Sequence, residues 1–481
     1  MSGQNVWTHK GTFLLAAVGS AVGLGNLWRF PYLTGENGGG AFILIYALTI
    51  FAVGIPILIA EIMLGRTSRR SPIMGMRHLT KTHGTSRAWE TIGWLGAVSA
   101  FLILSFYSVI AGWAIHYTWL MLTGSLVGAD AQTISDGFDA LLAAPGLMTL
   151  YHTLFIAFSA LIVGMGIHKG IESGLRIMMP ALFVILLVVL AYGVVNGDVG
   201  AAASFLFTFN IADLSLEGWL QAMGKSFFTL SLGLGAIMAY GAYMPSDVSL
   251  TRTAFAVAIV DTAVAMVAGL AIFALVFGAG LETGQGPGLM FVTLPLAFAE
   301  MPFGALVGGV FFILVLGAAI SSSISLIEPV AAFLVERFDM TRPQAVTIMA
   351  IAAWAMGLLT VVSFNVWAEG TIFHSLFGRS AFEFIELLTN IFMPVGGLLI
   401  ALFAGWALTQ SEVMKELGST VTWFKVWRLL VRFVAPAAVA FVFLRTIPQV
   451  EGYLIPTLGA LLIVGAFAAS QRWLKKPRQT T

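Results

Sequence analysis

Lys225 and Asp261 each stand in the middle of a long apolar run. A charge at such depth is unfavourable and is kept for a function. An ion pair between them accounts for both, and it leaves Asp261 free to serve as a cation ligand as well. In another apolar stretch Ser321, Ser322, Ser323 and Ser325 are followed by Glu328 and Pro329. Serine hydroxyls commonly bond back to their own helix. With the carbonyl of Ala318 they are equally the oxygen donors that a hard cation takes. Glu61 ends an apolar run just ahead of Met63 and Arg66, as an interfacial acid or as a partner for backbone amides freed by a broken helix. Tyr107, alone within Phe101–Ser108, reads first as packing. Glu386 lies toward the outer side of its run, either exposed to water or within reach of Arg29.

The stretch able to position such groups is Val18–Pro31. Gly19, Gly23 and Gly25 fall within seven residues and are followed by Asn26, Arg29 and Pro31. Glycine weakens a helix and permits unusual dihedrals, and proline removes a backbone donor. In hydrocarbon an unwound backbone survives only where protein or a wet cavity satisfies it, so this stretch is expected to line a site. A kinked helix with small residues for close packing is the alternative. Phe227–Ala236 repeats the pattern, with Gly233-Leu234-Gly235 at the middle of its own apolar segment. The two segments are the first and sixth of the chain and therefore run in opposite directions. Paired glycine-interrupted segments of opposite orientation point to an inverted-repeat transporter; chance is the alternative in a chain with 52 glycines. Two broken helices meeting in the membrane present half-helix N-termini to an anion and free carbonyls to a cation. That geometry suits the two ends of an amino acid together with a sodium ion.

Composition sets the frame for these residues. Of 481 residues, 59% are hydrophobic and 10% charged, which defines a polytopic membrane protein. Apolar runs of about 20 residues or more lie near 11–34, 40–65, 91–123, 149–168, 174–196, 217–243, 250–280, 300–335, 343–363, 381–409, 424–445 and 452–473. The expected fold is therefore all-α with about twelve spans, the last of them re-entrant if Pro456 breaks it. The chain reads as one transporter domain over 1–481, with repeats at 11–196 and 217–409 and two added helices at 424–473. Basic residues such as Arg66, Arg69, Arg70, Arg77, Lys169, Arg252, Arg342 and Lys475 fall in alternate loops, and Asp130, Asp136 and Asp198 in the others. By the positive-inside rule both termini are cytoplasmic, and the expected location is the cell membrane. Met1–Asn5 has no basic region of a signal peptide, and there is no cysteine for a disulfide. Gly23-Leu24-Gly25 lacks the third glycine of a dinucleotide loop, and phosphate-loop, zinc and serine-hydrolase motifs are missing. The chain is not expected to be an enzyme, and an ion gradient must drive any accumulation. Its expected partners are a small amino-acid substrate and membrane lipid, with no nucleic acid and no obligate protein.

At Gly19–Pro31, with Glu36-Asn-Gly-Gly-Gly-Ala-Phe42 after it, the chain resembles the neurotransmitter:sodium symporter family. The likeness continues through Lys169–Glu172, Phe227–Ala236, Ser321–Pro329 and Arg432–Pro436. It implies a five-plus-five inverted repeat with broken helices 1 and 6, and sodium-coupled uptake by alternating access with two sodium sites. The first site would take the Ala21 carbonyl, Asn26, Thr229 and Asp261. The second would take the carbonyls of Gly19, Val22 and Ala318 with Ser321 and Ser322. The substrate carboxylate would meet the amides of Leu24 and Gly25 and the Tyr107 hydroxyl, and its amino group the carbonyls near Ala21, Phe228 and Ser231. Ser20, Ile103, Phe228, Leu234, Ser322 and Leu326 would wall its side chain. Phe228 with Tyr107 would form the outer lid and Arg29–Glu386 the outer ion pair, while Glu61, Lys225 and Glu328 form a buried charge network.

Departures from the family pattern refine this expectation. Monoamine carriers have an aspartate where this chain has Gly23, so a substrate bringing its own carboxylate is expected. The apolar walls favour a neutral, hydrophobic side chain, with several substrates accepted, because a methylene in such a pocket is worth only about 1–3 kcal/mol. Asp261 stands where chloride-dependent members have asparagine, and Ala265 where a bacterial member has an acid. A fixed carboxylate would replace chloride, unless Lys225, in place of a common amide, neutralises it. Gln4 replaces an arginine opposite the acid at Glu336, with Lys10 a possible substitute. Another small zwitterion (taurine, GABA or a betaine) and a receptor that binds without transporting are the competing readings.

Overall fold

A chain this apolar must satisfy its backbone within each segment once water is absent, and helices do so. The structure, a computed structural model, describes residues 7, 10–210, 214–283, 288–368, 374, 378–418 and 421–446, and among them there is no strand. Gln4 and the expected twelfth span at 452–473 lie outside the described residues, as does the side chain of Lys10.

Among the described residues, eight helices are long and apolar enough to cross a membrane: Gly40–Ser68, Arg87–Leu122, Pro145–Gly164, Ile167–Asn196, Leu250–Gly278, Gly304–Phe338, Arg342–Ser363 and Ala381–Ala407. They are spans two to five and seven to ten of the expected order. Span one is split into Gly11–Ala21 and Gly25–Glu36, bent by 48°. Span six is split into Leu216–Thr229 and Ala236–Ala242. An eleventh helical stretch covers 421–446.

Some boundaries differ from expectation for identifiable reasons. Span five begins at Ile167, not near 174, because Lys169 and Glu172 interrupt the apolar signal while the chain is already helical. Glu172 there is buried and accepts from Thr12 Oγ1 and Arg176 at 3.0 Å each. The connection between spans three and four, expected as a plain loop, holds the helix Ala131–Leu142, which Asp130 caps by accepting from the Thr133 amide.

The packing of the spans is symmetric. Span three lies along span eight and four along nine; span five packs on seven, and ten on two; span ten also packs on three, and five on eight. Exchanging each span with the one five places away returns the same set. The architecture is thus an all-α five-plus-five inverted repeat, with the two broken spans related to each other and enclosed by the rest.

Candidate functional site

The first break occupies Val22 and Gly23, and the second runs over 230–235. Ser231, Gly233 and Gly235 all take positive φ there, at 53°, 75° and 69°. For Ser231 the left-handed conformation is unfavourable by about 1–2 kcal/mol, and its hydroxyl offsets this by donating to the Ser20 carbonyl at 2.9 Å. The two breaks are thereby stitched together. Ser20 Oγ in turn donates to Ser325 Oγ at 2.9 Å, joining span one to span eight. Glu61 reaches the second break from span two, where its Oε2 accepts from the Gly233 amide at 3.0 Å.

Two oxygen clusters flank the breaks. In the first, Asn26 Nδ2 donates to Asp261 Oδ1 at 2.7 Å and Thr229 Oγ1 donates to Asp261 Oδ2 at 2.9 Å. Thr229 lies 3.2 Å from Asn26 Oδ1, and the Tyr46 hydroxyl is 3.4 Å from Asp261 Oδ2. All four side chains are buried. In the second, Ser321 Oγ donates to the Ala318 carbonyl at 2.9 Å and approaches the Val22 carbonyl at 3.3 Å. Ser321 therefore bonds back to its own helix and also faces the break. Both donor sets are oxygen, the chemistry of a hard cation. Among the described residues no three His, Cys, Asp or Glu side chains gather as a metal cluster.

Between the clusters lies a cavity of about 30 Å³, room for roughly two waters. Every substrate-contacting residue named from the sequence lines it: Ser20, Ala21, Leu24, Gly25, Ile103, Tyr107, Phe228, Thr229, Ser231, Leu234, Ser322 and Leu326, with Gly23 and Ser325 in addition. Gly23 has no room for a side chain, since a Cβ there would stand 2.3 Å from Ser322 Oγ and 3.2 Å from the Tyr107 hydroxyl. The Leu24 amide donates to that hydroxyl at 3.3 Å.

Barriers stand at both ends. On one side Arg29 lies 3.5 Å from Glu386 and over the Phe228 ring at 5.1 Å. A second cavity of about 120 Å³ opens there above Tyr107 and Phe228. On the other side Arg342 holds Glu328 through both guanidinium nitrogens, and Tyr243 donates to the same carboxylate at 2.8 Å.

Two expectations need correction. Lys225 makes no contact-distance ion pair with Asp261, whose oxygens Asn26, Thr229 and Tyr46 already take; its Nζ has no hydrogen-bond partner among the described residues. Glu61, Lys225 and Glu328 do not form one network, since each sits in a separate environment. Glu336 accepts from the amide and hydroxyl of Ser71, at 2.9 and 2.8 Å, while Gln4 and the Lys10 side chain, expected opposite it, lie outside the described residues. Tyr46 and Arg342 were missed as site residues, and Ser325, read only as one of a run of possible cation-ligating hydroxyls, lines the substrate cavity. Of the two missed, only the basic Arg342 carried a signal, and that was read as loop charge alone.

The helical fold, the inverted repeat and the paired breaks define a membrane-embedded secondary transporter. A model of the sodium:neurotransmitter symporter family matches residues 4–136 and 133–470, and the chain belongs to that family. By family it is a sodium-dependent symporter. It is 35% identical to the uncharacterized sodium-dependent transporter YhdH of Bacillus subtilis, over 92% of this chain and 97% of that one. A sodium-dependent transporter of Haemophilus influenzae, also uncharacterized, is 31% identical over 92% and 98%. The crystal structure of MhsT in complex with L-phenylalanine superposes with a TM-score of 0.84 at 40% identity, covering 92% of this chain and 99% of that chain.

Proposed function

We propose that this chain imports a neutral, hydrophobic L-amino acid together with sodium by alternating access, without needing chloride. It does so across the cell membrane with both termini in the cytoplasm. The observation that carries the reading is the convergence of two helix breaks on one cavity, with an oxygen cluster on either side. MhsT, 40% identical, is in complex with L-phenylalanine in its crystal structure, which supports the substrate class. The repeats at 11–196 and 217–409 and the segment 424–473 act as one transport domain.

The first sodium is assigned to the Ala21 carbonyl, Asn26, Thr229 and Asp261. Asn26 directs its amide nitrogen at Asp261 and its amide oxygen at Thr229, 3.2 Å away. The negative charge of Asp261 stands in for chloride. The second sodium is assigned to the carbonyls of Gly19, Val22 and Ala318 with the hydroxyls of Ser321 and Ser322. The substrate carboxylate goes to the Leu24 and Gly25 amides and the Tyr107 hydroxyl, where a half-helix N-terminus favours an anion. The amino group goes to the carbonyls of Ala21, Phe228 and Ser231. Gly23, with Ser322 Oγ only 2.3 Å from where its Cβ would stand, leaves no space for the aspartate an amine substrate would need. Phe228 and Tyr107 close the lid, and Arg29–Glu386 forms the outer gate. A small zwitterion is the second reading, favoured by a cavity of only about 30 Å³ with Ser20, Ser322 and Ser325 in its wall.

Uptake into proteoliposomes tests the proposal. An inward sodium gradient should accumulate L-phenylalanine or L-leucine equally in chloride and gluconate. Binding without accumulation would make the protein a receptor, and a strict chloride requirement would refute the role given to Asp261. Preference for taurine or GABA would move the substrate to the second reading.

A further inference from the structure

Lys225 takes no part in the function described so far, yet its side chain is buried and its ammonium makes no hydrogen bond among the described residues. A buried cation with idle donors is unfavourable, so its position calls for a partner that arrives with the transport cycle. Its Nζ lies 5.8 Å from the centre of the Tyr46 ring and 5.9 Å from that of Phe228. Such cation–π contacts hold a charge without using its N–H groups. The same nitrogen is 3.4 Å from the point where a Cβ on Gly25 would stand, and the Phe228 ring edge is 3.2 Å from that point. Glycine at this position leaves the first turn of Gly25–Glu36 open to the ammonium. Phe228 lines the substrate cavity and Lys225 does not; both line a separate cavity of about 230 Å³ beside Arg29. A cavity of about 30 Å³ admits an amino acid only if its walls move, and displacement of Phe228 uncovers the ammonium.

We propose that Lys225 pairs with the substrate carboxylate at the Leu24–Gly25 turn once Phe228 has moved, and that it makes the carrier select acids over their uncharged analogues. This inference rests on the amino-acid reading above. The carboxylate then receives a charge-assisted hydrogen bond, the stronger kind, and a carboxamide in its place leaves the ammonium unpaired.

The full-length protein, purified in detergent, is assayed for sodium-dependent binding of radiolabelled L-phenylalanine and L-alanine at saturating sodium, with their carboxamides as competitors. Wild type should prefer acid over amide by at least tenfold. Lys225→Gln should weaken binding of the acids at least tenfold and that of the amides less than twofold. Lys225→Arg should keep most of the preference. The unfolding midpoint in sodium-free buffer checks that each variant is folded. Acid affinity within twofold of wild type in Lys225→Gln overturns the inference, as does equal loss of acid and amide. A shift in sodium affinity alone would instead assign Lys225 to Asp261, and overturns it too. Should Lys225→Gln not fold, Lys225→Arg with no acid preference overturns it, and a retained preference supports it. A wild type that binds no amino acid in sodium overturns both this inference and the transport reading.

Discussion

Adding one methyl group at Gly23 is the sharpest perturbation the site offers. A Cβ there would stand 2.3 Å from Ser322 Oγ, 3.2 Å from the Tyr107 hydroxyl and 3.3 Å from Ser322 Cβ. The first distance is untenable, so Ser322 must rotate or its helix must yield, and the other two leave little slack. Overpacking of this kind costs about 1–3 kcal/mol. Gly23→Ala should lose that much unfolding free energy in sodium-free buffer, where cation ligation plays no part. If the substrate-bound state feels the same strain, L-amino-acid affinity falls roughly 5- to 150-fold. Ser322→Ala removes the oxygen and leaves the milder contacts of 3.2 Å to the Tyr107 hydroxyl and 3.3 Å to the Cβ of residue 322. The double variant should therefore be less destabilised than the sum of the singles, by about 1 kcal/mol. A denaturant titration of wild type, both singles and the double closes the cycle. Additivity within about 0.3–0.5 kcal/mol would refute the clash and, with it, the steric argument against an aspartate at this position.

Other outcomes follow from the same geometry. Replacing Ser321 and Ser322 together with alanine should raise the sodium concentration for half-maximal uptake at least tenfold while the protein still inserts; sodium titration of uptake reads it. Asp261→Asn should slow uptake in gluconate and make chloride stimulatory, and equal rates in both salts would count against the carboxylate as the chloride substitute. Glu61→Leu leaves the Gly233 amide without its acceptor and should destabilise the fold by about 1–3 kcal/mol. Glu61→Gln, which keeps an acceptor oxygen, should lose less, as thermal unfolding would show.

Both breaks were legible because glycine clusters inside apolar runs are local features, and Asn26 and Asp261 stood out as polar groups in or beside those runs, whereas Thr229 was implied only by the family resemblance. Tyr46 was not legible. It is one aromatic residue in the apolar stretch Gly40–Thr49 and meets Asp261 across 215 positions of sequence; no local pattern marks such a contact. Lys225 drew notice for its charge, but its partner was misassigned. Its orientation depends on the absent side chain of Gly25 and on two rings brought in from elsewhere. Span five began early because Lys169 and Glu172 look like loop residues until Thr12 and Arg176 are seen to pair with the acid. Sequence periodicity reports which face is apolar, not which buried charge has been satisfied.

The hydroxyl chain from Ser231 through the Ser20 residue to Ser325 bears on turnover. A carrier gains nothing from holding one conformation firmly, because each cycle must undo whatever the previous half-cycle made. Neutral hydrogen bonds contribute only about 0.5–1.5 kcal/mol net each, so breaking two of them leaves the alternative arrangement populated at roughly 0.5–15%. A buried ion pair in the same place would cost about 3–5 kcal/mol to open by loss of a partner and would slow the return of the empty protein. Serine at positions 20, 231 and 325 thus makes the latch weak enough to be reused.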